Sequence, residues 1–359
     1  MCGISLVYES ASPETLKRRM ENSLLQMTHR GPDAMGLWQQ DAIAIGHRRL
    51  SIIDLSQSQQ PFVSPDGRYV LTFNGEIYNY QSLRTNLVAK WDFKTQGDTE
   101  VLLAGLLTEG DSFIKKLDGM WAFALWDSAR SELLICRDRM GKKPLFFVQK
   151  PRGISVCSEL PALQRLSDCQ WHEDIDSTAD FFKFGYCLPG HTFYKEVKEL
   201  LPGHYMRWSP EGSTRLECYW KPVIQAFNGT YSEAVSQVRT TLTEAVKKRL
   251  VSDVEVGCFL SGGIDSSIIA ALASSERSGD SPLQTFTTAF SDKSFDESSY
   301  ARLVADHLKL SHHEGLIDRF SVDDLKHLIL DRVGQPFLDS SILPTSCVAE
   351  VAAGKVKVV

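Results

Sequence analysis

The chain has 359 residues, of which 43% are hydrophobic and 23% charged, a composition typical of an ordinary globular protein. Its 39 basic and 45 acidic residues give a net charge of −6, which argues against broad attraction to nucleic acid or to anionic membrane. No stretch approaches the roughly 18 consecutive apolar residues of a membrane helix, and the start lacks the charged-then-apolar order of a signal peptide. We expect a cytoplasmic protein of about two domains.

The eight cysteines are scattered through the chain without a C-x-x-C pair. This pattern predicts neither a zinc site nor a small disulfide framework. We expect most of them to be buried as small hydrophobic side chains.

Residues 1–166 consist mainly of short apolar or alternating runs separated by turns, the pattern of β-strands. Together with two amphipathic stretches that predict helices, they indicate an α+β layered domain with much antiparallel sheet. The predicted strands are 4–8, 42–46, 69–73, 120–127, 133–137 and 145–148, and the predicted helices are 13–27 and 99–107. Residues 167–228 are rich in Gly, Pro and aromatic residues, and we expect a connecting region with small strands of its own.

From residue 229 to residue 359 strands alternate with helices, which predicts an α/β domain with a parallel sheet. The predicted helices are 231–250, 266–273, 298–308, 322–333 and 345–353, and the predicted strands are 254–260, 283–290 and 312–316. The residues from Val356 onward have the pattern of a further buried strand. We therefore expect the chain to be truncated within this domain.

A cysteine directly follows Met1. Methionine aminopeptidases remove the initiator when the next side chain is small, so Cys2 would carry both a thiol and a free α-amine. A thiol with a pKa of ~8.5 is only slightly ionised at neutral pH, and an α-amine with a pKa of about 8 can accept its proton. Cys2 is thus a candidate nucleophile with its own base, although a cysteine at position two is by itself usually an accident.

Three further positions could complete a site around such a thiol. Asn74 and Gly75 follow predicted strand 69–73 and could form an oxyanion hole, or simply an Asn-Gly turn. Arg49 lies at the end of the region of predicted strand 42–46, where it could bind a carboxylate bidentately or be a solvated charge on the sheet rim. Asp98 could hold an ammonium group or cap helix 99–107.

These residues belong to a set of motifs whose order closely resembles the N-terminal-cysteine glutamine amidotransferases, in particular the glutaminase half of glutamine-dependent asparagine synthetases. The resemblance runs from Cys2 to about Leu166, over CGI (2–4), RGPD (30–33), RLSI (49–52), NGEIYN (74–79), GDTE (97–100) and RDRMGKKPL (137–145).

The resemblance implies an αββα sandwich of the N-terminal-nucleophile type. It also implies that the Cys2 thiol attacks the glutamine side-chain amide with its α-amine as base, and that Asn74 and the Gly75 N–H stabilise the oxyanion. Arg49 would bind the α-carboxylate and Asp98 the α-ammonium. The implied glutamine-binding residues are Arg49, Leu50, Ile52, Asn74, Glu76 and Asp98.

A second motif lies between predicted strand 254–260 and the next helix. Its sequence, SGGIDSS, comprises Ser261, Gly262, Gly263, Ile264, Asp265, Ser266 and Ser267. Glycines allow close approach of the backbone to oxygen atoms, and the N–H groups of a helix N-terminus attract phosphate. The loop is not a Walker A motif because the Lys-Ser/Thr pair is absent, and an ordinary Gly-Gly turn before a helix is the alternative.

The motif resembles the pyrophosphate loop of ATP pyrophosphatases, and further landmarks of that domain follow at 286–290, 295–297, 300–302, 312–314 and 335–337. The resemblance implies ATP and Mg²⁺ as cofactors. The phosphates would lie on residues 261–267, the purine would contact Leu260 and Thr288, and Asp265 would help to hold Mg²⁺. His312 and His313 are not expected to share a metal ion, because adjacent strand residues point to opposite faces.

The combined resemblance predicts a glutamine-dependent amidotransferase. Ammonia from glutamine would pass to a carboxyl group activated by ATP as an acyl-adenylate, with aspartate as the expected acceptor. Alternatives are another carboxyl acceptor such as a sugar acid or peptide, an ammonia acceptor of another kind, glutaminase activity alone in a truncated chain, or a non-catalytic relative. No nucleic-acid or membrane partner is expected, and homodimer formation is left open.

Overall fold

The computed structural model describes residues 1–277, 281–317 and 321–359. The chain forms two units. The first comprises Met1–Pro222 with Lys326–Leu338, and the second comprises Val223–Leu325 with Asp339–Val359. Both undescribed stretches fall in the second unit, so the first unit is described throughout.

The first unit contains two antiparallel six-stranded sheets. Its strands are β1 (Gly3–Tyr8), β2 (Ala34–Gln40), β3 (Ile43–Arg49), β4 (Phe62–Val63), β5 (Tyr69–Ile77), β6 (Gly119–Asp127), β7 (Glu132–Arg137), β8 (Phe146–Lys150), β9 (Gly153–Cys157), β10 (Val197–Glu199), β11 (His204–Trp208) and β12 (Thr214–Cys218). The strand order is β10-β8-β9-β1-β3-β2 in the first sheet and β12-β11-β7-β6-β5-β4 in the second.

Helices cover the outer faces of these sheets. They are α1 (Pro13–Gln26), α2 (Tyr80–Leu87), α3 (Asp98–Glu109), a 3-10 helix (Gly110–Lys116) and α4 (Leu160–Leu166), and a further helix of this unit, α5 (Ile175–Phe184), follows in the chain. One hydrophobic cluster joins α1 and α4 to the first sheet, a second lies between the sheets, and a third joins the second sheet to α2 and α3. The predicted αββα sandwich is confirmed.

β1 places the cysteine at the start of the first sheet. Ile4 and Leu6 point into the cluster between the sheets, whereas Val7 points toward the helical layer. Burial on both faces explains why this strand is an almost continuous apolar run. Because side chains alternate along an extended chain, Cys2 points to the same inner side as Ile4.

β5 differs from the predicted strand 69–73 because it continues through Asn74 and Gly75 to Ile77. A Cβ at Gly75 would lie 2.2 Å from the Met120 carbonyl oxygen, so glycine is what allows β5 and β6 to stay paired here. The expected positions of Asn74 and Gly75, beyond the strand end or in a turn, are therefore wrong.

The strands after residue 166 belong to the sandwich. β10 pairs with β8, and β11 pairs with β7, so each extends one of the two sheets. The first unit accordingly continues to Pro222, later than the boundary expected at residue 166. The returning segment Lys326–Leu338 includes a π-helix (His327–Val333), and the Tyr194 hydroxyl donates to the Gly334 carbonyl at 2.9 Å.

Within its described residues, the second unit has a parallel sheet ordered β13 (Cys258–Phe259), β14 (Gln284–Phe290) and β15 (Ser311–Ile317). Its helices are α6 (Tyr231–Arg249), α7 (Ile264–Glu276), α8 (Ser298–Leu308), α9 (Val322–Lys326) and α10 (Ile342–Ala353). The predicted strand 254–260 is shorter than expected. Val256 adds only a parallel bridge to Val358, which partly confirms the strand expected from Val356.

Candidate active site

Cys2 lies at the N-terminal end of β1 beside the residue that follows β3. Its sulfur accepts the Leu50 N–H at 3.4 Å, and its thiol is 3.6 Å from the Leu50 carbonyl oxygen. Burial raises the pKa of the thiol, while the Leu50 N–H, the chain's α-amine, Lys143 and Arg30 each lower it. Burial outweighs these groups, so the pKa of the thiol lies above its ordinary value, and the thiol needs a neighbouring base to act as a nucleophile.

The amine next to this thiol belongs to Met1 in the structure. Burial lowers the pKa of the Met1 amine to about 6, with Arg30 and Lys143 adding to the decrease. An amine with that pKa is largely unprotonated at neutral pH. Removal of Met1, expected from the sequence, would place the amine on Cys2 itself and stays a prediction.

Two adjacent donors on β5 lack partners. Among the described residues, the buried Asn74 side-chain nitrogen Nδ2 has no hydrogen-bond partner. The backbone N–H of Phe73 donates to Gln60 Oε1 at 2.6 Å and that of Ile77 donates to Asp98 Oδ2 at 3.0 Å. Gly75 lies between them on the same edge, since N–H groups on one edge of a strand alternate.

The opposite edge of β5 faces β6. There the Tyr78 N–H donates to the Asp118 carbonyl at 2.8 Å. Trp121, which pairs with Gly75, instead donates its N–H to Asp138 Oδ2 at 3.2 Å and accepts the Asp138 N–H at 2.8 Å. The Gly75 N–H therefore points away from β6, and we find no partner for it in the described chain. Two neighbouring open donors are what an oxyanion hole requires.

Arg49 ends β3 as predicted and is only 5% exposed. Its guanidinium donates to the Asp54 carbonyl at 2.6 Å and to the Leu55 carbonyl at 3.2 Å. The alternative of a solvated charge on the sheet rim is therefore wrong. Arg49 lies on the same side of β3 as His47, which contacts Thr72 of β5 at 3.1 Å, so its side chain faces the space between the sheets.

Asp98 begins α3 and links that helix to the end of β5. Its carboxylate accepts from the Ile77 N–H at 3.0 Å. Gly97 is the N-cap of α3 and no side chain caps this helix, so the alternative of a capping role is wrong, and binding of an ammonium stays a prediction. Burial raises the pKa of Asp98 to about 6, although the Ile77 N–H and the nearby Arg49 oppose the increase.

The structure brings the predicted residues of the first site to one end of the sandwich. Asn74 and Glu76 lie on the same inner face of β5 as Thr72. His47 of β3 contacts Thr72 at 3.1 Å, so this face is turned toward the first sheet. Glu76 is buried and acts electrostatically on Lys143, which in turn acts on Cys2. Leu50 contacts the thiol through its backbone, and Ile52 is half-buried in the same loop.

Two cations near the thiol were not predicted. Arg30 donates to the Cys2 carbonyl and to Glu159 Oε1, both at 2.8 Å. Lys143 is 5% exposed, whereas the neighbouring Lys142 is exposed. Both cations lie in motifs that carried the resemblance, but the sequence alone offers no signal that separates Lys143 from Lys142.

The motif at 261–267 forms the turn from β13 into α7. Gly262 has φ +80°, and a Cβ there would lie 2.5 Å from atoms of Tyr300 and Ala301. The Ser261 and Ser266 hydroxyls are 3.0 Å apart, and the Gly263 N–H donates to Ser261 Oγ at 3.3 Å. No side chain caps α7. The exposed N-terminus of this helix fits an anionic ligand.

The two residues expected at a purine differ in placement. Thr288 is half-buried near the carboxyl end of β14, and the register that pairs Phe259 with Phe286 places it level with Ser261. Leu260, by contrast, is 1% exposed and packs against α7 and α8. Only the Leu260 backbone is available to a ligand, because its side chain belongs to the core.

The residues that could hold a metal ion are few. No group of three or more His, Cys, Asp or Glu side chains suited to a metal occurs in the part of the chain that the structure describes. Asp265 contributes one exposed carboxylate in the first turn of α7. A single carboxylate fits Mg²⁺ only where phosphate oxygens and water supply the other ligands.

An αββα sandwich with a cysteine at the start of a central strand of one sheet and an open donor pair on the inner strand β5 of the other defines an N-terminal-nucleophile amidotransferase domain. A family model described as a glutamine amidotransferase domain matches residues 1–220, and one described as asparagine synthase matches residues 237–359. The chain belongs to the glutamine amidotransferase family and carries an asparagine synthase domain in its second part.

Curated relatives match both parts together. Asparagine synthetase [glutamine-hydrolyzing] 3 of Bacillus subtilis is 32% identical over 96% of this chain and 59% of its own length. A putative asparagine synthetase of Mycobacterium tuberculosis is 35% identical over 93% of this chain and 53% of its own length. Amidase chry2 of Gibberella zeae is 34% identical over 89% of this chain and 52% of its own length. The chain thus spans little more than half of these relatives.

Among the residues that the structure describes, no helix combines the length and the apolar character needed to cross a bilayer.

Proposed function

We propose that this chain hydrolyses glutamine at Cys2 and supplies the ammonia for an ATP-dependent amidation. The observation that carries the proposal is the pair of open donors, Asn74 Nδ2 and the Gly75 N–H, at the end of the sandwich that holds the thiol. Donors without a partner in the free protein are available to charge that develops during reaction.

In the proposed reaction the Cys2 sulfur forms a bond to the amide carbon of glutamine. The carbonyl π electrons move to the oxygen, which the two open donors stabilise. The α-amine takes the thiol proton and returns it to the leaving nitrogen, so the C–N bond breaks and ammonia departs. Water then attacks the thioester, which releases glutamate and restores the thiol.

The charged side chains would hold the substrate. Arg49 would receive the α-carboxylate, in place of one of the loop carbonyls that it now contacts,. Asp98 would receive the α-ammonium, and this positive charge would favour the ionised carboxylate. Leu50 and Ile52 would border the pocket, and Glu76 would contribute to its polar end.

The second part of the reaction is proposed for the asparagine synthase domain. Residues 261–267 and the N-terminus of α7 would hold the phosphates of ATP, with Asp265 as one ligand of Mg²⁺ and Thr288 near the nucleotide. When bound, ATP would supply the adenylyl group that activates the acceptor carboxyl. We propose aspartate as the acceptor on the names of the synthetase relatives.

Another carboxyl acceptor is the second candidate. It is favoured by the fungal relatives named amidases, which match this chain at 34% identity. Pyrophosphate release measured with aspartate and with a panel of other carboxylic acids, on the longest form of the protein that its gene encodes, separates the two. Release with aspartate alone supports the first candidate.

We also propose a cytoplasmic setting. All eight cysteines lie in the described part of the chain and are free thiols, as is usual in a reducing compartment. Fractionation of the source cells tests this, and recovery of the protein outside the cytosol would contradict it.

The proposed glutaminase activity is tested by glutamate release from glutamine, with removal of Met1 checked by mass spectrometry. We expect release by the processed chain and none by Cys2→Ala. Absence of release from a processed, folded chain would contradict the proposal.

A further inference from the structure

We propose that Gln60 is a positioning residue for the oxyanion donors. Its side-chain amide ends the hydrogen-bond ladder on the outer edge of β5 at Phe73, which leaves the next N–H on that edge, the Gly75 N–H, open to the substrate. The inference rests on the proposed function in one respect, since it takes the Gly75 N–H as an oxyanion donor. Gln60 lies outside the motifs that carried the resemblance.

The ladder between β4 and β5 is short. The two strands pair over two residues only, and Phe62 at the start of β4 lies opposite Leu71. Two positions further along the same antiparallel register, Gln60 comes opposite Phe73. Pro61 lies between and has no N–H to donate, so the backbone ladder stops. The Gln60 side chain, rather than its backbone, bonds the Phe73 backbone.

The Gln60 amide takes the place of a strand residue here. Its Oε1 accepts the Phe73 N–H at 2.6 Å, and its Nε2 donates to the Phe73 carbonyl at 3.1 Å. A flipped amide would set donor against donor and acceptor against acceptor, so the two bonds fix its orientation. Nε2 also lies 3.5 Å from Thr99 Oγ1 of α3. Because Phe73 is only 2% exposed, both of its backbone groups require a partner.

This arrangement leaves one gap on the outer edge of β5. N–H groups on one edge of a strand alternate, so the Gly75 N–H lies between those of Phe73 and Ile77. The Ile77 N–H donates to Asp98 Oδ2 at 3.0 Å. Side chains thus bond this edge on both sides of Gly75, whereas a longer β4 would cover it. Asn74 directly follows Phe73, so the Gln60 bonds also fix the backbone from which the Asn74 amide extends.

The test compares Gln60→Met with Gln59→Met in the 359-residue chain with Met1 removed. Gln60→Met keeps the length of the side chain and removes both hydrogen bonds, and Gln59 is an exposed neighbour of the same type. The measurements are kcat and KM for glutamine and the affinity for an aldehyde analogue, in which a CHO group replaces the carboxamide of glutamine.

The aldehyde reports on the donors because it forms a tetrahedral adduct. The Cys2 sulfur would bond to its carbonyl carbon, the π electrons would move to the oxygen, and the thiol proton would pass to the α-amine. The resulting oxyanion would need the same two donors as the reaction itself. A residue that merely stabilises the fold would not separate binding of this adduct from binding of glutamine.

We expect Gln60→Met to lower kcat at least about tenfold and to weaken aldehyde binding by a similar factor, with KM for glutamine changed by less than about twofold. Gln59→Met should match wild type in all three quantities. Wild-type kcat and aldehyde affinity in a folded Gln60→Met would overturn the inference. A rise in KM equal to the loss of aldehyde affinity would overturn it too.

Hydrogen exchange at the backbone amides of wild type keeps the inference testable if Gln60→Met does not fold. The Phe73 and Ile77 N–H groups should exchange at least about 100-fold more slowly than the Gly75 N–H, and the aldehyde should slow exchange at Gly75. Equal exchange at Phe73 and Gly75 would overturn the inference. This exchange pattern in a processed wild type that releases no glutamate would instead contradict the proposed glutaminase alone.

Discussion

The Cys2 sulfur accepts the backbone N–H of Leu50 at 3.4 Å, directly after the arginine that ends β3. This contact joins the start of β1 to the end of the neighbouring antiparallel strand β3. The proposed nucleophile and the proposed carboxylate-binding residue Arg49 are therefore positioned by the same pair of strands. Burial raises the pKa of the thiol and the Leu50 N–H lowers it. Reactivity therefore depends on the amine and cations around the sulfur.

Activity should depend on removal of Met1. While Met1 is present, the nitrogen of Cys2 is a peptide nitrogen and cannot serve as a base. Digestion of an unprocessed preparation with methionine aminopeptidase should raise glutaminase activity in proportion to the processed fraction measured by mass spectrometry. Equal activity of processed and unprocessed chains would contradict the role of the Cys2 amine.

Asn74→Ala should impair turnover more than binding. The Asn74 Nδ2 donor has no hydrogen-bond partner among the residues that the structure describes, so its interaction would form with the oxyanion. We expect kcat for glutamine hydrolysis to fall about 10² to 10³-fold with little change in KM. Asn86→Ala, at an exposed position of α2, is the control and should be neutral. A raised KM with unchanged kcat would show that Asn74 binds substrate only.

Asp98→Asn should raise KM for glutamine about 100-fold or more, because the charge proposed to bind the α-ammonium is lost. In wild type, KM should rise as pH falls below about 6, where Asp98 becomes protonated in the free enzyme. Asp98→Asn should show no such rise in KM below pH 6. Steady-state kinetics between about pH 5 and pH 8 measure both effects, and a pH-independent wild-type KM would refute the assignment.

The same residue predicts a dependence of stability on pH. The pKa of Asp98 is about 6 in the folded chain and about 3.9 in an unfolded one. Its contribution to stability is thus fully present below about pH 4 and is lost as pH rises through 6. Asp98→Asn should gain stability relative to wild type over that range, by up to about 3 kcal/mol. Chemical denaturation at each pH measures the free energy of unfolding of both proteins. A difference between them that is the same at every pH would contradict the raised pKa of Asp98.

The two glycines of the second motif should respond differently to alanine. At Gly262 the backbone has φ +80° and a Cβ would lie 2.5 Å from backbone atoms of α8, whereas a Cβ at Gly263 meets only Ser261 Oγ at 3.4 Å. Gly262→Ala should destabilise the second unit by more than about 1 kcal/mol, and Gly263→Ala should not. Limited proteolysis and thermal unfolding measure this, and equal effects would contradict the geometry.

The sequence predicts best what local chemistry decides. The helix predicted at 13–27 matches α1 (Pro13–Gln26) because its amphipathic pattern is a local signal,. The continuation of β5 through Gly75 was not predicted, because the need for glycine there comes from the Met120 carbonyl of another strand. Lys143 and Lys142 are the same residue type, and only the folded loop buries one of them. The substrate-binding roles of Arg49 and Asp98 follow from the resemblance and stay predictions.

The central claim is that Cys2 is the nucleophile of a glutaminase, and glutamate release from glutamine by the 359-residue chain with Met1 removed tests it most directly. We expect release by the processed wild type and a loss of at least about 10³-fold in Cys2→Ala, with unchanged thermal unfolding. Release by Cys2→Ala at the wild-type rate would contradict the account.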